Sequence, residues 1–140
     1  MMDFKACGCA IIRDTGTSKG RGVFATRQIE LDEIIEISPV VLVKWRELPE
    51  SLKRVVFNWG QLTKGPAASA ISLGWGSMYN HGNPANVCYA ANSEGCSMIF
   101  SAARHINNVG EELTVNYNES HGDIHSSEDN WFKARGVTPI

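Results

Sequence analysis

The stretch 34–43, IIEISPVVLV, is β-branched along most of its length and broken once, at Pro39. β-Branched side chains suit a pleated, half-buried surface. Proline cannot donate to the middle of a strand ladder. The segment therefore predicts one strand with a bend, or two short ones. Such a segment needs partner strands, and the sequence supplies them in short pieces. Residues 5–13 end in AIIRD, a strand candidate, and VFATRQI resumes apolar character after the glycine-rich loop TGTSKGRG. NVCYAA and CSMIF flank the turn residues NSEG and read as a hairpin. ELTVNY, residues 112–117, predicts a last strand. The period changes in residues 48–60, LPESLKRVVFNWG. There Leu52, Val55, Val56 and Trp59 fall at i, i+3, i+4 and i+7 after Pro49, and Gly60 follows as a cap. This predicts one short helix, with QLTKGPAASA after it as a loop. The expectation is a mostly β chain of short strands, without repeats or linkers.

With 140 residues, of which 43% are hydrophobic, the chain has the size and core content of a single domain spanning 1–140. Its net charge of -2 argues against a nucleic-acid binder, which usually carries a basic surplus. No apolar run approaches the roughly 18 residues that span a bilayer. The N-terminal MMDFKACGCAIIRD lacks a long apolar core, so an intracellular protein is expected. Cys7, Cys9, Cys88 and Cys96 form no C-x-x-C pair, and no metal site is expected. Cys7 and Cys9 read as small buried or half-buried thiols.

Residues 76–87, GSMYNHGNPANV, place three Asn, one His, one Tyr and one Pro between apolar segments. A turn needs only one or two such residues. Amides and imidazole both donate and accept hydrogen bonds, and when buried they must be paired. The stretch is either an elaborate loop or a polar site at the edge of a core. Two further fragments belong with it: KGRGVFA at 19–25 and GEELTVNY at 110–117. Glycine lets backbone approach a ligand closely. The third glycine of a dinucleotide fingerprint is missing. A Tyr ending a strand is ordinarily half-buried filler with a wet hydroxyl.

Taken in order, G-x-G, then N-H-x-x-P-x-N, then G-E-E-L-x-x-x-Y, the three fragments resemble the signature of SET-domain protein lysine methyltransferases. The likeness runs from about Ala6 to about Trp131, and the helix followed by LGWGSMYNH resembles the minimal single-domain members of bacteria and viruses. It implies a β-clip fold of several small sheets with one short helix and a C-terminal pseudoknot, in which Asn86 helps pin the crossing. It also implies S-adenosylmethionine as cofactor and transfer of its methyl to a lysine of a basic protein such as a histone tail. By that resemblance Tyr117 is the catalytic tyrosine. Lys19, Gly20, Arg21, Gly22, Asn80 and His81 bind the cofactor, with Trp131 closing over it. Tyr79 and Val115, together with Tyr117, line the substrate channel. Valine at 115 holds no water where a methyl must fit, so di- and trimethylation are expected. Residues 118–140, with Trp131 and Phe132, form a post-SET-like tail. No direct nucleic-acid or membrane partner is expected, and a homodimer is compatible with the family. Location follows the host: nuclear or chromatin-associated if eukaryotic or viral, cytoplasmic if prokaryotic. The sequence departs from the family at Gly82, Asn83 and Pro84, where Ser, Cys and a later Pro are usual, and at Asn116 and Asn118 around the tyrosine. These departures leave an inactive SET-like binding module as the alternative, beside an unrelated β-clip module.

Overall fold

The computed structural model describes residues 3–118, 120–123 and 125. Two sheets carry the fold. The larger contains β3 (Ile34–Val43), β4 (Val56–Asn58), β5 (Ser69–Ser72), β7 (Val87–Asn92) and β8 (Ser97–Ala102), in the order β4-β5-β3-β8-β7. The smaller orders β1 (Ala10–Asp14), β2 (Arg21–Ala25), β9 (Glu112–Val115) and β6 (Asn80–His81) as β1-β2-β9-β6. The segment IIEISPVVLV is one long strand. Its first half pairs with β8 and its second half with β5, and Pro39 sits near the hand-over. The register shifts between Ile34 and Glu36, and four successive residues, 35–38, are buried.

The core fills from both sheets: Val23, Ile29, Ile35, Val87, Met98, Phe100, Ile106, Leu113 and Val115 are all fully buried. The Phe100 ring lies within aromatic contact of Phe57, Tyr79 and Tyr89. The predicted hairpin is β7 and β8, paired from Val87↔Ala102 to Asn92↔Ser97. Cys7, Cys9, Cys88 and Cys96 are free thiols, Cys9 buried and the others half-buried. Among the described residues, no helix is long and apolar enough to cross a membrane.

The helix expected over 48–60 is not one element. Trp45–Glu47 forms a 3-10 turn, Glu50–Lys53 a single α turn (α1), 56–58 the strand β4, and Trp59–Thr63 a second short helix (α2). Tertiary pairing overrides the helical spacing. Val56, Phe57 and Asn58 pair with Ile71, Ala70 and Ser69, and the Phe57 ring packs edge-on against Tyr89 at 5.1 Å. Gly60 is not the cap either. It lies inside α2, where a Cβ would come within 2.7 Å of the Pro66 carbonyl. Asn58 caps the start of α2 by accepting from the Gln61 N–H, and Lys64, at φ 54°, ends it.

After β9 the chain runs back beside β7. The Tyr89 N–H donates to the Ser120 carbonyl at 3.0 Å, and the Asp123 N–H to the Ala85 carbonyl at 2.6 Å. The Tyr89 hydroxyl donates to the Asn116 carbonyl at 2.9 Å. Trp131, Phe132 and most of the expected tail lie outside the described residues.

Candidate active site

β9 has little ladder of its own. It pairs with β2 at Val23↔Leu113 and Phe24↔Glu112, and in parallel with β6 at Asn80↔Thr114 and His81↔Val115. Side chains supply what the ladder lacks. The buried Asn86 amide donates to the Glu112 carbonyl at 2.8 Å and to Glu111 Oε2 at 3.0 Å, and its Oδ1 accepts from the Thr114 N–H at 2.8 Å. Arg104 forms an ion pair with the same Glu111 carboxylate. Asn86 thus replaces a strand residue that loop 82–86 cannot provide, since a buried backbone group left unpaired costs about 1–3 kcal/mol.

Beside this junction lies a cleft of about 280 Å³, lined by Thr15, Thr17, Ser18, Lys19, Phe24 and Glu112. Its wall is tied to β6. Lys19 Nζ donates to the His81 carbonyl at 3.1 Å. The Asn80 side-chain amide donates to the Arg21 carbonyl at 2.9 Å and to Glu112 Oε2 at 2.8 Å. Gly20 adopts φ 77°, which favours glycine, and closes the turn whose carbonyl Thr15 caps. Gly22 is required for a different reason. A Cβ there would stand 2.6 Å from Glu112 Oε2 and 2.9 Å from Asn80 Nδ2, inside their hydrogen bond.

Tyr117 follows directly. Its backbone N–H donates to His81 Nδ1 at 3.2 Å, and its hydroxyl donates to the Tyr79 carbonyl at 3.0 Å. Because Nδ1 accepts, the neutral His81 ring carries its proton on Nε2. Burial, and then the Lys19 charge, push His81 down to about 4. Burial, and then the Glu112 carboxylate, push the Tyr117 phenol up to about 12. Both rings are therefore neutral across the physiological range. The Tyr117 proton is committed to the Tyr79 carbonyl, which leaves the phenolic oxygen's lone pairs as the group it offers.

Of the residues singled out in the sequence, Lys19, Arg21, Asn80, His81 and Tyr117 are joined by hydrogen bonds, with Gly20 in the adjoining turn and Gly22 packed against the Asn80–Glu112 contact. Arg21 takes part through its carbonyl, while the residue itself is exposed. Val115 is fully buried, opposite His81 in the register. Tyr79, like Val115 a residue expected to line the channel, is buried. Its ring is packed 4.9 Å from Phe100, and its carbonyl accepts from the Tyr117 hydroxyl. Glu112 was legible in GEEL only as a turn residue, yet it stands in the cleft and holds Asn80. The departure at Gly82 also has a partner. A Cβ there would lie 2.4 Å from Thr114 Oγ1, so Thr114 fills the space a serine would take.

A curled, mostly β fold that brings an Asn-His pair, a glycine-walled cleft and a strand-terminal tyrosine together defines the SET class. The family described as SET domain matches residues 20–118. The chain belongs to the SET-domain family of protein lysine methyltransferases. It is 33% identical, over 128 residues, to a Schizosaccharomyces pombe histone-lysine N-methyltransferase specific for H3 lysine-37, covering 91% of this chain and 83% of that protein. A Plasmodium falciparum protein described as a histone methyltransferase superposes with a TM-score of 0.62 at 28% identity, covering 79% of this chain and 98% of that one. The fold also matches ctPRC2 in an autoinhibited conformation bound to S-adenosylmethionine. That TM-score is 0.61 at 19% identity, covering 84% of this chain and 16% of that one.

Proposed function

We propose that this protein transfers a methyl group from S-adenosylmethionine to the side-chain amine of a lysine in a histone tail or another basic chromatin-like protein. The carrying observation is the continuous hydrogen-bonded unit from Lys19 and Glu112 through Asn80 and His81 to Tyr117. The S. pombe relative acts on histone H3, and the ctPRC2 structure holds S-adenosylmethionine. Both support the reading. On it, the place of action is chromatin.

The cleft fits the cofactor's amino-acid end. Lys19 offers a cation for the carboxylate, Glu112 offers an acceptor for the ammonium, and Thr15, Thr17 and Ser18 offer hydroxyls. The glycine at 22 keeps Glu112 and Asn80 in register. Bound there, S-adenosylmethionine supplies a methyl group on a positively charged sulfur. Trp131 is proposed to cover it.

The chain's residues then have three tasks. The first is to favour neutral amine, since a free lysine has a pKa of about 10.4 and is cationic at pH 7. A dehydrated channel does so by penalising the charged form. Neither His81 nor Tyr117 serves as base: the first is hydrogen-bonded through Nδ1 and the second holds its proton up to about pH 12. The second task is orientation. The Tyr117 oxygen, its proton fixed on the Tyr79 carbonyl, presents lone pairs to the amine N–H. Such positioning is worth several kcal/mol in other enzymes. The third is room: Val115 leaves space for added methyls, so di- and trimethyl products are proposed.

The test is incubation with S-adenosylmethionine and core histones, read by mass spectrometry, beside calorimetry of cofactor binding. Methylated lysine, progressing past monomethyl at long times, is the expected result. Absence of cofactor binding would overturn the reading, and a product that stops at monomethyl would overturn the role of Val115.

A further inference from the structure

Glu36, on β3, is buried at 2% exposure. Among the described residues it forms no ion pair, yet it accepts from three neutral donors. The Tyr79 hydroxyl lies 2.5 Å from Oε1, and the Ser38 hydroxyl and the Trp75 backbone N–H lie 2.9 and 3.3 Å from Oε2. A carboxylate out of water and away from a cation is expensive to keep. The chain is nevertheless shaped around it. Gly74, at φ 64°, brings the turn so close that a Cβ would stand 3.1 Å from Oε2.

We propose that Glu36 and the Tyr79 hydroxyl are positioning residues for Tyr117, acting through the Tyr79 backbone. Tyr79 is held at both ends. Its phenol is anchored on Glu36, its ring lies against Phe100, and its carbonyl accepts the Tyr117 proton. A ring fixed at its far end restrains the Cα that bears it, and with it the peptide that carries this carbonyl. The Glu36 anchor thereby limits displacement of the Tyr79 carbonyl and so fixes where the Tyr117 lone pairs point. Burial, and then the Glu36 charge, raise the Tyr79 phenol well above its ordinary value, so it remains the donor of the pair. This is also why a tyrosine rather than a small residue precedes Asn80: the ring spans from the site to β3.

The proposal rests on Tyr117 being the catalytic tyrosine, and the experiment separates the two. Methyl transfer to core histones is measured for wild type, Tyr79→Phe, Tyr117→Phe and the double variant at saturating cofactor. Tyr79→Phe keeps the ring and loses only the anchor. It is expected to lower kcat about tenfold while KM and cofactor Kd stay within about twofold. In the Tyr117→Phe background the same change should alter the residual rate less than about twofold, because the hydroxyl it positions is gone. Glu36→Gln keeps an accepting oxygen and should recover most of kcat. Glu36→Leu should match Tyr79→Phe or, if it fails to fold, leaves the tyrosine cycle as the measure. Equal losses from Tyr79→Phe in both backgrounds, or none in either, would overturn the proposal. Full activity in Tyr117→Phe would instead overturn the catalytic assignment. If core histones are not substrates, the ¹³Cζ resonance of Tyr117 decides: Tyr79→Phe must move it, and an unmoved signal refutes the coupling.

Discussion

The two sheets are held together by different means. In the larger sheet, β3, β7 and β8 pair over long registers, and their inner faces bury Met98, Phe100, Ile35 and Val87. Backbone ladders and apolar area hold it. In the smaller sheet, β9 has two paired residues on each side and depends on Asn86, Asn80 and His81 for the rest. Hydrophobic burial tolerates exchange of one apolar side chain for another of similar volume. A hydrogen-bonding side chain that replaces part of a ladder has one geometry and one chemistry. Apart from the buried Glu36 cluster on β3, the larger sheet is thus generic, and the smaller is specific.

Four substitutions probe that contrast, from the largest effect to the smallest. Phe100→Ala should cost about 3–5 kcal/mol in denaturant unfolding and leave the cofactor affinity of the folded fraction unchanged. A selective loss of affinity would show that the two sheets are not energetically distinct. Asn86→Ala should cost about 3 kcal/mol, since it strips the Thr114 N–H and the Glu112 carbonyl of their partner. It should also weaken cofactor binding, because β9 carries Glu112. Unchanged binding would mean that β9 is held by its ladder after all. Gly82→Ser should destabilise by about 1–3 kcal/mol through its clash with Thr114, and Thr114→Ala should restore most of that. A serine accommodated without loss would show that the departure from the family has no packing cause. Asn80→Ala should change stability by about 1 kcal/mol or less yet reduce cofactor affinity at least about tenfold, as calorimetry would report.

Acid supplies a further contrast. His81 is lowered in the folded protein to about 4, so between about 4 and its ordinary 6.5 the unfolded chain binds more protons. Its contribution is fully present above pH 6.5 and is lost as pH falls towards 4. Protonation at Nδ1 removes the acceptor for the Tyr117 N–H. Unfolding followed against pH should show this loss in wild type, and His81→Asn, which keeps an acceptor and cannot titrate, should flatten that part of the profile. An identical profile in the variant would remove His81 from the account. Above pH 6 the methyl-transfer rate should instead climb with pH as the lysine amine of the substrate deprotonates, with no acid limb from the site itself.

The same contrast explains what was legible beforehand. Strands with β-branched runs, such as IIEISPVVLV and the NVCYAA–CSMIF hairpin, announce themselves because period and turn residues are local properties. The site's Asn, His and Tyr were equally visible, since amides crowded between apolar segments need a reason. The apolar spacing of 48–60 suits a helix, while Val56 and Phe57 are claimed by β5 and by the Tyr89 ring. A lone acid in a strand, such as Glu36, carries no local mark, and Glu112 reads in GEEL only as part of a turn. Their partners, Tyr79 and Asn80, lie 43 and 32 residues away. The Gly82–Thr114 exchange was invisible for the same reason: its two halves meet only across the parallel pair of β6 and β9.

Single-turnover transfer from methyl-labelled S-adenosylmethionine to core histones, wild type beside Tyr117→Phe, tests the central claim most directly. The account predicts label on lysine in wild type and a fall of at least about a hundredfold in the variant, with cofactor affinity retained. Equal transfer by both proteins, or cofactor bound tightly by a wild type that labels no lysine, would contradict it.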